Sequence, residues 1–344
     1  MDAHPHVTLS DVARAAEVSL ATASRALNGT TRVRSDLRER VLAAARELAY
    51  TPNAHAQALA GGTHHTVGVV CHDVSDPYFA SIARGVMRVA GDKDLLVMLA
   101  STFRDPQKEI AYVSMLRAQR ASAILLVGSG FEDRGWSRAL SEELEPYRRG
   151  GGRVAVVSRH RNLRADSVQP DNKGGAAKLA RTLLDLGHRR FTVLAGPRRL
   201  TTVVDRIAGF RQALAEAGVE LSENDIVEST FTRDGGYTAM RQALDRGLDS
   251  TCVFAVTDVM AIGALTALRD AGVSVPDDVS LAGFDDIPVV RDLTPSLTTV
   301  ALPLEQLGER AMELALRSDR GTRSRVVRVQ ADVVVRDSTK EVRA

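Results

Sequence analysis

Between Thr66 and Asp285 the chain repeatedly alternates short apolar runs with amphipathic segments. The runs TVGVVCHDV, DLLVMLAST, ASAILLVGS, RVAVVSR, FTVLAGP, CVFAVTD and VSLAGFD are apolar almost without interruption. Among the segments between them, DPYFASIARGVMRVAG, DPQKEIAYVSMLRAQ, NKGGAAKLARTLLDLG, DRIAGFRQALAEAG and GGYTAMRQALDRG carry apolar residues at helical spacing. A strand that is apolar on both faces must be covered on both faces, so the pattern predicts parallel sheets flanked by helices. The expected class is α/β, doubly wound, and 344 residues with 44% hydrophobic content suffice for about two domains.

Composition narrows the function. Cys71 and Cys252 both sit inside apolar runs, which predicts buried free thiols and suits a reducing compartment. MDAHPHVTLS lacks a basic stretch followed by an apolar one, and no apolar run approaches the roughly 18 residues of a membrane span. The expectation is a cytoplasmic protein without membrane contact, and not an exported solute-binding protein. No catalytic constellation appears. Gly128–Gly130 has neither phosphate-loop nor nucleophile-elbow spacing, and His64-His65 has no Cys/His cluster downstream. The chain is expected to be no enzyme and to use no metal or cofactor.

The first sixty residues have a different character. In TLSDVARAAEVSLATASRALNG, Thr8 and Asp11 form a capping pattern that opens a short helix, and Glu17-Val18 breaks it. Ser19 can cap a second helix to about Leu27, with Ala23, Ala26 and Leu27 turned toward the first. Two short helices, a tight turn and small contact residues predict a helix-turn-helix, whose second helix enters the DNA major groove. Ser35 is expected to cap a third helix, DLRERVLAAARELAY. Residues 1–62 hold seven arginines against six acids. So weak a charge predicts modest nonspecific DNA affinity for one headpiece and favours a dimer carrying two.

VTLSDVARAAEVS, ATASRALNG, VLAAARELAYTPN and AQALAGG together resemble the headpiece and hinge of the LacI/GalR family of bacterial transcription regulators. The likeness is close from Val7 to Gly62 and looser to about residue 337. It implies an N-terminal all-α helix-turn-helix headpiece (1–52), a hinge helix and linker (53–65), and an effector-binding and dimerisation domain (66–344). The last would be a two-lobed α/β domain resembling type I periplasmic binding proteins. Its first lobe would span about 66–163 with a return near 297–322, its second about 164–296 and 323–344. The implied function is a sequence-specific transcriptional regulator that binds a pseudo-palindromic operator in double-stranded DNA as a homodimer. It would repress carbohydrate or related catabolic genes under control of a sugar-like small-molecule effector. The alternative is an activator, or a regulator without an effector.

By the same resemblance Leu20, Ala21 and Arg25 meet base edges. Arg25 suits guanine O6 and N7, while Leu20 either touches a thymine methyl or packs within the headpiece. Thr8, Ser19, Thr22, Ser24, Asn28, Arg32 and Arg34 match phosphate-contacting positions, and plain capping is the competing role for the hydroxyl residues among them. Asn53, Ala56 and Leu59 match the minor-groove hinge, with Leu59 as an apolar wedge. Glu17 departs from the family pattern, where glycine is common. For the effector, strand C-terminal ends place Asp76, Tyr78, Phe79, Ser158, Arg159, Phe231, Thr257 and Asp285 around the cleft between lobes. Asp76 is equally a helix cap. Aligning VVDRIAGF on the family sets Val204 where a ligand-binding arginine is usual, with Arg159 or Arg206 as the alternatives for that role. Thr257 and Val259 likewise replace polar residues, which predicts a cleft with a weakened grip on sugars.

Overall fold

The computed structural model describes residues 7–28, 33–51, 66–160, 163–317 and 324–342. They belong to two compact units, Met1–His64 and His65–Ala344.

In the first unit, α1 (Leu9–Ala15), α2 (Leu20–Asn28) and α3 (Ser35–Glu47) enclose a small core of Val12, Ala16, Ala23, Ala26, Val41 and Ala44. Alanines at the contacts let three short helices approach closely, which none could sustain alone. The Thr8/Asp11 capping box forms as expected: Asp11 Oδ2 accepts from Thr8 N (3.0 Å) and Thr8 Oγ1 accepts from Asp11 N. Glu17 adopts the left-handed conformation (φ 51°) that glycine would take more easily, and the turn survives. Arg40 on α3 helps to hold it, donating to Ala16 O at 2.5 Å and Glu17 Oε2 at 3.3 Å. One expectation fails here. Ser35 is the first residue of α3, and the cap position is Arg34, whose side chain makes no capping bond.

The second unit is α/β. A six-stranded parallel sheet runs in the order β11-β5-β4-β3-β1-β2. Its strands are β1 (Thr66–Cys71), β2 (Leu96–Ser101), β3 (Ala123–Val127), β4 (Arg153–Val157), β5 (Asp166–Pro170) and β11 (Val326–Val329). The helices α4 (Pro77–Gly91), α5 (Pro106–Ala118), α6 (Arg134–Arg149) and α11 (Leu304–Leu316) belong to this lobe. Gly85 on α4 lets α11 approach, since a Cβ there would stand 2.0 Å from Glu305 O. The second sheet, β7-β6-β8-β9, is also parallel. It comprises β6 (Phe191–Ala195), β7 (Ile226–Glu228), β8 (Cys252–Ala255) and β9 (Ser280–Ala282). Around it lie α7 (Asn172–Asp185), α8 (Thr201–Glu216), α9 (Arg233–Asp245) and α10 (Asp258–Asp270). An antiparallel ribbon of β10 (Thr299–Ala301) and β12 (Asp332–Val334) extends the second lobe, bridging to it at Ala282–Thr298 and Asp285–Ala301. Every residue of β3, β6 and β8 is buried, which is why these runs read as continuous apolar sequence.

The lobe boundaries differ from expectation. β5 pairs with β4 and β11 with β5, so 164–170 and 326–329 belong to the first lobe and not the second. β10 pairs with β12, so the return to the first lobe begins after Ala301 and not at 297. Periodicity marks strands, whereas the choice of neighbour rests on contacts remote in sequence. Cys71 and Cys252 are free and buried as expected.

Candidate functional site

On the headpiece, Leu20, Ala21 and Arg25 form the outward face of α2, with Ala23 and Ala26 buried beneath. Leu20 is 52% exposed, so packing inside the headpiece is not its role. Arg25 Nε donates to Ala21 O at 3.2 Å, which lays the guanidinium along that face. Ser19 Oγ accepts from Thr22 N at 3.1 Å and lies 2.8 Å from Thr22 Oγ1, so both residues serve the start of α2. Thr8 does the same for α1. Ser24 is half-buried on α2. Arg34 forks onto Asp36 at 3.1 and 2.7 Å, on the surface. Asn28 ends α2; its side chain, Arg32, Asn53, Ala56 and Leu59 lie outside the described residues.

In the second unit the expected cleft residues lie just beyond strand ends or at the first turns of the helices that follow. Asp285 and Ser158 hold left-handed backbone conformations (φ 117° and 95°) beyond their strands. Asp285 Oδ1 accepts from Arg206 Nη2 at 2.6 Å. The pair is almost wholly buried, with side chains 1% and 5% exposed. Arg206 is otherwise satisfied within its own lobe. Its Nε donates to Asn172 Oδ1 (2.9 Å), its Nη1 to Val256 O (2.6 Å), and its guanidinium lies 3.8 Å from the Phe284 ring centroid. Burial pushes the Asp285 carboxyl up while Arg206 opposes it. Burial raises Asp258 to about 7, and the Asp285 charge adds to this. Asp258 accepts from Thr299 Oγ1 (2.6 Å) and Ile287 N (2.9 Å).

Asp76 caps α4 through Tyr78 N (3.0 Å), and Thr257 caps α10 through Met260 N (3.3 Å). Tyr78 and Phe79 meet edge to face at 5.0 Å, and Phe79 meets His72 likewise at 5.8 Å. His72 is buried and held neutral, its pKa lowered to about 3 by burial and then by the nearby Arg104 charge. Arg159 does not point freely into the cleft. It forks onto Asp205 at 3.0 and 2.7 Å, joining the first lobe to the second. Beside it Glu132 N donates to Arg199 O (2.7 Å), Thr201 N to Gly130 O (3.0 Å) and Thr201 Oγ1 to Arg159 O (3.0 Å). This clasp ties the two lobes together.

Residues 8–53 match the model of the lacI family of bacterial regulatory proteins, and residues 180–339 that of a periplasmic binding protein-like domain. The chain is 36% identical over 338 residues to the HTH-type transcriptional regulator DegA of Bacillus subtilis, covering 96% of this chain and 98% of that one. It is 39% identical over 316 residues to the HTH-type transcriptional regulator GalS of Salmonella typhimurium, covering 92% and 91%. The chain belongs to the LacI family. Among solved structures, the lac repressor dimer bound to operator and the anti-inducer ONPF matches with TM-score 0.83 and 25% identity over 97% of this chain and 99% of that one. A complex of the transcriptional regulator CelR with cellobiose matches with TM-score 0.69 and 31% identity, over 96% and 99%.

As a LacI-family member this chain is a DNA-binding transcriptional regulator. Arg206, two residues beyond Val204 and from the same lobe as Asp285, sets a guanidinium against that carboxylate. The signal was present in the sequence. Arg206 lies one turn before Phe210 and one after Val203, so helical spacing sets it on the buried face of α8. Arg104, His72 and Asp205 also line or brace the cleft and were not singled out from sequence.

Proposed function

We propose that this regulator represses transcription as a homodimer, reading a pseudo-palindromic operator through the exposed face of α2. The observation that carries the reading is the placement of Leu20, Ala21 and Arg25 on one solvent-facing side of a helix whose other side is core. A helix so placed offers apolar and guanidinium contacts to base edges, and surrounding hydroxyls offer phosphate contacts that fix register. One headpiece reads one half-site, so a two-fold operator asks for two chains. The lac repressor structure, a dimer on operator, supports this arrangement.

A small effector binds between the lobes, against Asp285, Phe79 and Phe231, and alters lobe closure. The CelR–cellobiose complex supports a hydroxyl-rich class of ligand. Moving the DNA-bound fraction from nearly full to nearly empty takes about 5.5 kcal/mol of differential affinity between the two states. The test is fluorescence anisotropy on an operator obtained by in vitro selection, titrated with a sugar and sugar-acid panel. Asp285→Asn keeps the shape of the carboxyl and an acceptor for Arg206. It is expected to bind operator as the wild type does while losing the effector response. Asp285→Ala is the poorer variant, since an unpaired buried Arg206 costs about 3–5 kcal/mol. Retention of the full response by Asp285→Asn removes Asp285 from the site.

A further inference from the structure

We propose that Arg104 makes the cleft select an effector bearing a carboxylate beside its hydroxyl groups. The inference rests on the cleft being the effector site.

Arg104 lies in the loop from β2 to α5, where Phe103 and Arg104 both take left-handed conformations (φ 53° and 60°). Non-glycine residues rarely hold that region in succession, and such strain persists only where the surroundings enforce it. Here Phe103 N donates to His72 O (2.6 Å), Asp105 N donates to Thr102 O (3.1 Å), and Asp105 caps α5. The loop is thereby fixed, and it carries the Arg104 guanidinium to the opposite lobe, 5.2 Å from the centroid of the Phe231 ring. Phe231 is held there by room that only a glycine leaves, since a Cβ on Gly196 would stand 2.3 Å from the ring.

The cation so placed lies against an aromatic face but has no acceptor. Arg104 Nε is buried without a hydrogen-bond acceptor, and no carboxylate reaches ion-pair distance of Arg104 among the described residues. The neighbouring acids are engaged elsewhere. Asp73 Oδ1 accepts from Ser75 N and Oγ, and Asp76 Oδ1 accepts from Tyr78 N. Their charges support the guanidinium against its burial without bonding it. The other cleft arginines are committed, Arg206 to Asn172, Val256 and Asp285, and Arg159 to Asp205. Arg104 therefore keeps donors for a ligand, and a guanidinium fork matches a carboxylate or a phosphate in two parallel bonds. Asp76 and Asp285 favour the first. A phosphate dianion would meet about twice the repulsion that a carboxylate meets at the same distance.

The experiment is calorimetric titration of the full chain with D-glucuronate, D-galacturonate and D-gluconate against glucose, galactose and glucitol, with glucose 6-phosphate as the dianion. It is run on wild type, Arg104→Gln and Arg104→Lys, with operator binding as the folding control. At least one acid is expected to bind wild type roughly tenfold or more tightly than its neutral partner, as a charge-assisted bond implies. Arg104→Gln should erase that preference, and Arg104→Lys should keep part of it. A neutral sugar binding as tightly as its acid in wild type, or a preference that survives in Arg104→Gln, overturns the assignment and leaves the effector reading standing. Tightest binding by the phosphate overturns the carboxylate choice. Binding by none of the seven overturns both.

Discussion

Arg25 and Arg34 carry the same charge and should fail differently. Arg25 lies on the α2 face with Leu20 and Ala21, where a guanidinium can pair with guanine O6 and N7. Arg25→Ala should lose about 1–3 kcal/mol of discrimination at one G·C pair per half-site. Arg34 lies outside that face, forked onto exposed Asp36. Arg34→Ala should weaken all sequences alike and flatten the salt dependence, as loss of a phosphate contact does. Competition binding against single-base operator variants at several salt concentrations separates the two, and uniform loss in both variants contradicts the assignment. A third residue sets a pH dependence. Glu109 is buried on α5 and burial pushes its carboxyl up to about 8, with Trp136 opposing. The folded chain thus holds a proton there that the unfolded chain releases near its ordinary value of 4.5. Stability from this group is full below that value and is lost as pH rises toward 8. Glu109→Gln should therefore gain melting temperature relative to wild type between pH 5 and 8, and level off above. A difference that does not change with pH contradicts the buried acid.

Among the elements, the clasp between lobes is the feature with a measurable strength. The Arg159–Asp205 fork and the backbone bonds around Gly130 and Thr201 join the loop after β3 and the end of β4 to the start of α8. The ion pair is bidentate and mostly buried, and a double-mutant cycle of Arg159→Met with Asp205→Asn should return a coupling of about 1 kcal/mol in stability. Zero coupling would mean that the ion pair adds nothing to the other bonds of the clasp. What was legible in the sequence divides along the same line of reasoning. The helix-turn-helix was readable because its determinants are local: a capping box, a turn and alanines at contact spacing. The apolar strands were readable because burial on both faces leaves no polar alternation. β5 was not, because Asp-Ser-Val-Gln-Pro has one large apolar residue and becomes a strand only by pairing with β4. That Arg206 and not Arg159 takes up Asp285 was not legible for a related reason. Its role depends on Asn172, Val256 and Asp285, which the fold brings from three other segments.

The whole molecule combines a weakly charged reading head with a two-lobed body, and no helix among the described residues is long and apolar enough to cross a membrane. A head with so small an excess of positive charge gains specificity and affinity by being presented twice. The expected assembly is a homodimer, one head to each half-site. The most direct measurement is light scattering coupled to gel filtration on the full chain, mixed with a selected pseudo-palindromic duplex and with the same duplex scrambled in one half. Two chains per intact duplex at micromolar concentration, and loss of that complex on the half-scrambled one, is the result expected. One chain per duplex, four chains per duplex, or equal complexes on both DNAs would contradict the account.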